Sequence, residues 1–344
     1  MTYKEYADLV FSRLRGAHGG EGSFGDHMSL DTWEWPQGVA VYAMMKIYLS
    51  TGDTAILEEL KAWYARHLAA GLPTRNINTT APMLTLTLLY EQTKDESYRP
   101  LIADWANWVM TELPRTEEGG FQHITTHEPN PGQLWDDTLF MTVLFLYRAG
   151  VALDRPDWCE EAKYQFLLHI KYLHDPATGL WYHGWTFEGR HHFGRAFWAR
   201  GNSWFTCGGV DFLEWLPEDD SVRRLILHTW QEQCLALCRL QDKESGLWHT
   251  LLNHEDSYLE TSASAAIAYG LLRGVKTGLL PQGCHEAAEK ALHGVLAMVE
   301  ADGTVGGVSY GTPVGATEDF YRTIPIQPTA YGQGLTFLML TAAE

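Results

Sequence analysis

Residues 130–150 read NPGQLWDDTLFMTVLFLYRAG, and the fold turns on how they are read. From Thr138 onward the apolar residues Leu139, Phe140, Val143, Leu144 and Leu146 fall at helical spacing. The pattern predicts a helix over 138–149. A long polar stretch, 114–137, leads into it, and a short one, RAGVALDRPD, leads out to a further helix at 156–173. Asp136 and Asp137 stand where the first helix begins. An aspartate there accepts a hydrogen bond from a free backbone N–H. One cap needs one aspartate, and this start has two, preceded by Trp135.

The same asymmetry recurs along the chain. Helical periodicity is read at 3–15, 36–50, 54–70, 80–93, 96–113, 138–149, 156–173, 199–215, 219–241, 259–276, 283–299 and 328–342. The links after the second, fourth, sixth, eighth and tenth helices are short, as in STGDT, QTKDES and LPEDD. Each suits a helix stop followed by a new N-cap. Links ahead of the even helices span 16–35, 114–137, 174–198, 242–258 and 300–327, with 71–79 the short exception. Short turns at one end and long loops at the other imply six stacked helical hairpins. Closed into a ring, these make an all-α (α/α)6 barrel, one domain over 1–344. TAPMLTLTLLY, TLFMTVLFLY and SASAAIAYGLL mark the even helices as the more apolar inner ring, whose starts face the long-loop end.

That end is chemically rich. Its loops and adjoining helix starts hold Trp33, Trp35, Trp135, Trp181, Trp185, Trp198, Trp204 and Trp248, with ten of the fifteen histidines. Loops on a rigid scaffold carry function, and flat rings at a mouth suit sugar binding. The net charge of −18 argues against nucleic acid or an anionic membrane surface as a partner. No run reaches the length of a membrane span. The amphipathic start MTYKEYADLVFSRLRG differs from a signal peptide. The five cysteines form a scattered, odd set. A cytoplasmic protein with reduced thiols is expected.

WEWPQG, NINTTAPMLTLTLLYEQTKDESY, GGFQH, QLWDDTLFMTVLFL, GLWYHGW, FWARGNSW, YLETSASA and EDFYRTIPIQPTAYGQG occur in that order across nearly the whole chain. Together they resemble glycoside hydrolase family 105, the unsaturated rhamnogalacturonyl hydrolases and related unsaturated glucuronyl hydrolases. The resemblance implies an (α/α)6 barrel, no metal or other cofactor, and a small anionic unsaturated oligosaccharide as partner. It implies hydration of the C4=C5 vinyl ether of a 4,5-unsaturated uronic acid at a non-reducing end. An acid protonates C4, water adds at C5, and the resulting hemiketal collapses to release the next sugar. One carboxyl group can serve as acid and then as base, unlike the paired carboxylates of ordinary glycosidases.

The resemblance places Asp137 at the acid/base position. A helix N-terminus favours its anion, and aromatic walls such as Trp135 and Trp204 oppose it by desolvation; the sequence leaves that balance open. Asp136 is then read as cap or support. His123 and His183 match pocket histidines for the uronate carboxylate or sugar hydroxyls. Arg200 and Trp204, four residues apart, share a helix face, with Arg200 suited to a bidentate grip on a carboxylate. Trp35, Trp185 and Trp204 are expected to stack on rings. In NIN, Asn78 stands where known members carry an aspartate, and an amide cannot act as general base. Other readings are another (α/α)6 sugar enzyme, such as an epimerase or inverting glycosidase, or a non-catalytic sugar binder.

Overall fold

In the computed structural model, residues 1–17 and 28–343 are described. Of the expected 16–35 loop, residues 18–27 lie outside them. Six helical hairpins follow one another: α1 (Tyr3–Arg15) and α2 (Trp35–Thr51), α3 (Thr54–Ala70) and α4 (Ile77–Thr93), α5 (Arg99–Thr111) and α6 (Leu144–Ala152). α7 (Pro156–Leu173), α8 (Ala199–Trp215), α9 (Arg223–Leu240), α10 (Thr261–Lys276) and α11 (Cys284–Leu296) continue the alternation. A short α12 (Glu318–Arg322) precedes the last helix, α13 (Ala330–Ala343).

α2, α4, α8, α10 and α13 bury residues all the way round. A helix with no polar face needs neighbours on every side. Each packs on two others in the order α2, α4, α6, α8, α10, α13 and back to α2, with the turn ahead of α6 reaching α8. α1, α3, α5, α7, α9 and α11 lie outside, on α13, α2, α4, α6, α8 and α10 respectively. This is the (α/α)6 barrel. The short links behave as their residues dictate. Gly52, at φ 71°, ends α2 in the left-handed conformation, and the Asp53 carboxylate caps α3 by accepting from Ala55 N–H.

Three differences from the sequence reading bear on the mouth. α4 starts at Ile77, because Asn76 and Thr79 form a capping box. Residues 139–143 form a π turn before α6 begins. The long loops also carry small ribbons: β1 (Gln133–Trp135) pairs with β2 (Gly184–Thr186), and β3 (Trp248–His249) with β4 (Leu259–Glu260). No described helix is long and apolar enough to cross a membrane, and all five cysteines are free thiols.

Candidate active site

A cavity of about 620 Å³ opens at the long-loop end, walled by the starts of α2 and α4, by β1 and by residues 310–314. Asp137 reaches it from the segment between β1 and the π turn. The ribbon register sets Trp135 opposite Gly184, and Asp136 N–H donates to the His183 carbonyl at 3.0 Å. That pairing delivers His183 to Asp137.

The Asp137 carboxylate is held at both oxygens. His183 Nε2 lies 3.1 Å from Oδ2, and Trp204 Nε1–H donates to Oδ1 at 3.0 Å. An ionised Asp137 can only accept, so Nε2 carries the proton that faces it. Nδ1 then accepts from the Tyr321 hydroxyl at 2.7 Å, and that hydroxyl in turn accepts from Gly315 N–H at 2.9 Å. The Asp137 side chain is 15% exposed and His183 is sealed behind it.

Burial alone would raise the Asp137 carboxyl. The hydrogen bond from His183, the positive charge that His183 and His123 take up at acid pH, and the Asp136 carboxyl outweigh burial and bring it down to about 2. Burial also pushes His123 down to about 3 and lowers His183, so neither is charged near neutrality. The balance that the sequence left open thus falls toward the anion. Trp204 contributes a donor where an apolar wall was considered.

Asp136 is no cap. Thr138 occupies the cap position of the π turn without a side-chain bond, and Asp136 is fully buried. Neither of its oxygens has a hydrogen-bond partner of ordinary geometry. Burial and the adjoining Asp137 charge push its carboxyl well above the usual range; nearby backbone N–H groups oppose this more weakly. A Cβ on Gly201 would overlap the carboxylate, which explains the glycine in FWARGNSW.

The other expected residues divide. Trp35, Asn78, His123, Trp135 and Arg200 border the cavity. His123 stacks on Trp135 with ring centres 4.2 Å apart and pairs through Nδ1 with the Thr138 hydroxyl at 2.8 Å. Trp35 packs on Tyr331. Asn78 lies in the first turn of α4.

Trp204 is 1% exposed and sits beneath Asp137, so stacking against a ligand is closed to it. Trp185 lies elsewhere, packed on Tyr172 and His192. The bidentate grip expected of Arg200 is also taken: Nη1 donates to the Ser309 carbonyl and hydroxyl, and Nη2 to Tyr310 O and the Thr312 hydroxyl. Arg200 holds the 309–312 wall in place, and the buried Glu260 does the same by accepting from Ser309 N–H at 2.8 Å.

Sequence reasoning missed Tyr321, the 310–314 wall and Glu34, which caps α2 and accepts from the Thr126 hydroxyl. Only EDFYR hinted at Tyr321. Asp136, Asp137 and His183 place ligand-type atoms within 4.8 Å of one another, and in this arrangement His183 Nε2 is engaged by Asp137.

Comparison with known proteins gives a consistent set of relatives. Residues 19–344 match the family described as Glycosyl Hydrolase Family 88. The unsaturated rhamnogalacturonyl hydrolase YesR of Bacillus subtilis is 37% identical over 311 residues, 89% of this chain and 88% of that protein. The structure of a possible GH105 member from Salmonella enterica superposes with a TM-score of 0.95 at 43% identity, over 99% of this chain and 93% of the other. The unsaturated glucuronyl hydrolase of Bacillus sp. GL1 shares the fold at a TM-score of 0.75 and 19% identity, over 100% and 97% of the two chains.

Proposed function

We propose, from the premise that this chain belongs to glycosyl hydrolase family 88, that it removes a 4,5-unsaturated uronic acid from the non-reducing end of lyase-generated oligosaccharides. A rhamnogalacturonan-type or related disaccharide is the substrate, and residues 1–344 act as one catalytic domain. The observation that carries the reading is Asp137, a carboxyl open to the cavity whose two oxygens are fixed by His183 and Trp204.

A vinyl ether needs one proton at C4 and one water at C5, and a single carboxyl can transfer the first and then accept a proton from the second. Asp137 takes that part. Water addition gives a hemiketal, whose collapse frees the next sugar. An inverting glycosidase needs a second carboxylate free to activate water. Of the other cavity carboxylates, Glu34 has both oxygens engaged by Trp35 N–H and Thr126, and Glu128 stands at the exposed rim. Trp35, Asn78, His123 and Trp135 contact the sugar, and Arg200 contributes its charge while bracing the wall. The free thiols suit a cytoplasmic site of action on imported lyase products.

The test is a panel of lyase-generated disaccharides followed at the ultraviolet band of the conjugated double bond. The expected result is loss of that band with release of the second sugar. An ordinary reducing sugar released with the band intact, or an epimer, would overturn the reading.

A further inference from the structure

An acid held at about 2 is ionised almost completely near neutrality, so Asp137 alone has no proton to give. The structure places a second carboxyl beside it, with a carboxylate oxygen of Asp136 within 4.8 Å of one of Asp137. Asp136 is sealed from solvent. Its oxygens have no hydrogen-bond partner of ordinary geometry, and the glycine at 201 leaves room for its carboxyl group. A buried carboxylate with no better than weak backbone donors is expensive, and protonation is the ordinary escape.

We propose that Asp136 is the proton-holding partner of Asp137: a neutral carboxylic acid whose O–H donates to the Asp137 carboxylate, so that the pair carries one proton between them. The proposal rests on Asp137 being the acid of the reaction. In the forward step the proton passes from Asp136 to Asp137 and on to C4. The C4=C5 π pair forms the new C–H bond and leaves a cation at C5, stabilised by the ring oxygen. The pair is then doubly negative while the adjacent substrate is positive. Water adds at C5, its proton goes to Asp137, and the pair again holds one proton. Asp136 never touches substrate and acts through Asp137, as a positioning residue for the proton.

The groups facing the pair do not supply an alternative donor. His183, on the loop before β2, points its N–H at Asp137 and is neutral. His123, on the loop before β1, is neutral too, as is the more distant His169 of α7. The Tyr321 hydroxyl of α12 stays protonated and is turned to His183. Arg200 of α8 is engaged by residues 309–312 and by Glu260 at 3.8 Å. Two interacting carboxyls titrate as a pair, the second proton leaving only at raised pH.

The experiment measures kcat/KM against pH for the wild type and Asp136→Asn on an unsaturated rhamnogalacturonan disaccharide. It is paired with infrared spectra of both proteins carrying 13C-labelled aspartate, which separates their bands from the Glu34 carboxyl, itself raised by burial. The asparagine amide has no transferable proton, and its N–H donating to Asp137 favours the anion. The alkaline limb should therefore move to lower pH, with activity at pH 7 down by roughly 10²-fold and recovering on acidification. A merely structural Asp136 would lower activity equally at every pH.

The wild type should show a protonated-aspartate carbonyl band at pH 7 that Asp136→Asn lacks. An unshifted pH profile, or no such band in the wild type, overturns the proposal. If Asp136→Asn fails to fold, the wild-type band alone decides: present up to alkaline pH in support, absent against. If the wild type turns over no unsaturated uronide, the functional reading fails while the band still reports on the pair.

Discussion

Two buried aspartates, Asp211 and Asp136, lie in the same barrel and are treated in opposite ways. Asp211, on α8, accepts from the Tyr42 hydroxyl, from Lys46 Nζ at 2.8 Å and from the Tyr269 hydroxyl at 2.7 Å. Its charge is answered by a cation and two hydroxyl donors drawn from two other inner helices, α2 and α10. Asp136 is equally buried, has no hydrogen bond of ordinary geometry, and is answered by a second carboxyl and only weakly by nearby backbone N–H groups. A satisfied buried carboxylate ties helices together. An unsatisfied one has to hold a proton, and a site that transfers protons is where such a group has a use.

Replacing Asp137 should have the largest effect. Asp137→Asn keeps the side chain's size and removes the transferable proton, so kcat should fall about 10²–10⁴-fold, with only a modest drop in melting temperature from the one N–H donor that now faces the amide nitrogen. Steady-state assays beside thermal unfolding check both halves. Asp211→Ala should do the reverse. It leaves Lys46 and two buried hydroxyls without their shared acceptor, and breaking a buried ion pair costs about 3 kcal/mol or more. The urea midpoint should drop while activity of the folded fraction survives.

Asp136→Asn sharpens the contrast through pH. A carboxyl raised on folding leaves the unfolded chain with fewer bound protons above its ordinary value near 3.9. Wild-type stability is therefore lost from this group as pH climbs from there toward the folded value. The amide does not titrate, so the variant should gain on the wild type between pH 5 and 8, as read by melting temperatures along the series. The smallest effect is expected at Trp185. Trp185→Phe should leave KM within about twofold, whereas Trp35→Ala should raise it about three- to tenfold, the worth of one aromatic contact.

The ring of hairpins was legible because it rests on local signals: apolar periodicity, glycine stops and aspartate caps at the short links. Much of the mouth was legible by residue type, and Trp35, Asn78, His123, Trp135, Asp137 and Arg200 do converge on one cavity. What escaped depends on distant partners. Tyr321 meets His183 across 138 positions of sequence, and Arg200 is claimed by a wall more than a hundred residues downstream. The reading of Asp136 as a cap failed because the helix opens with a wide π turn, which turns that side chain inward against Gly201. The glycine was visible in the sequence, but its neighbour was not.

Hydration of the double bond through Asp137 leaves a mark in the product, which is read by running the reaction in D2O on an unsaturated disaccharide and locating the label in the released acid. The expected result is loss of the ultraviolet band with one solvent-derived deuterium at C4, both slowed about 10²–10⁴-fold in Asp137→Asn. Release of the second sugar with the double bond intact and no deuterium at C4 would contradict it.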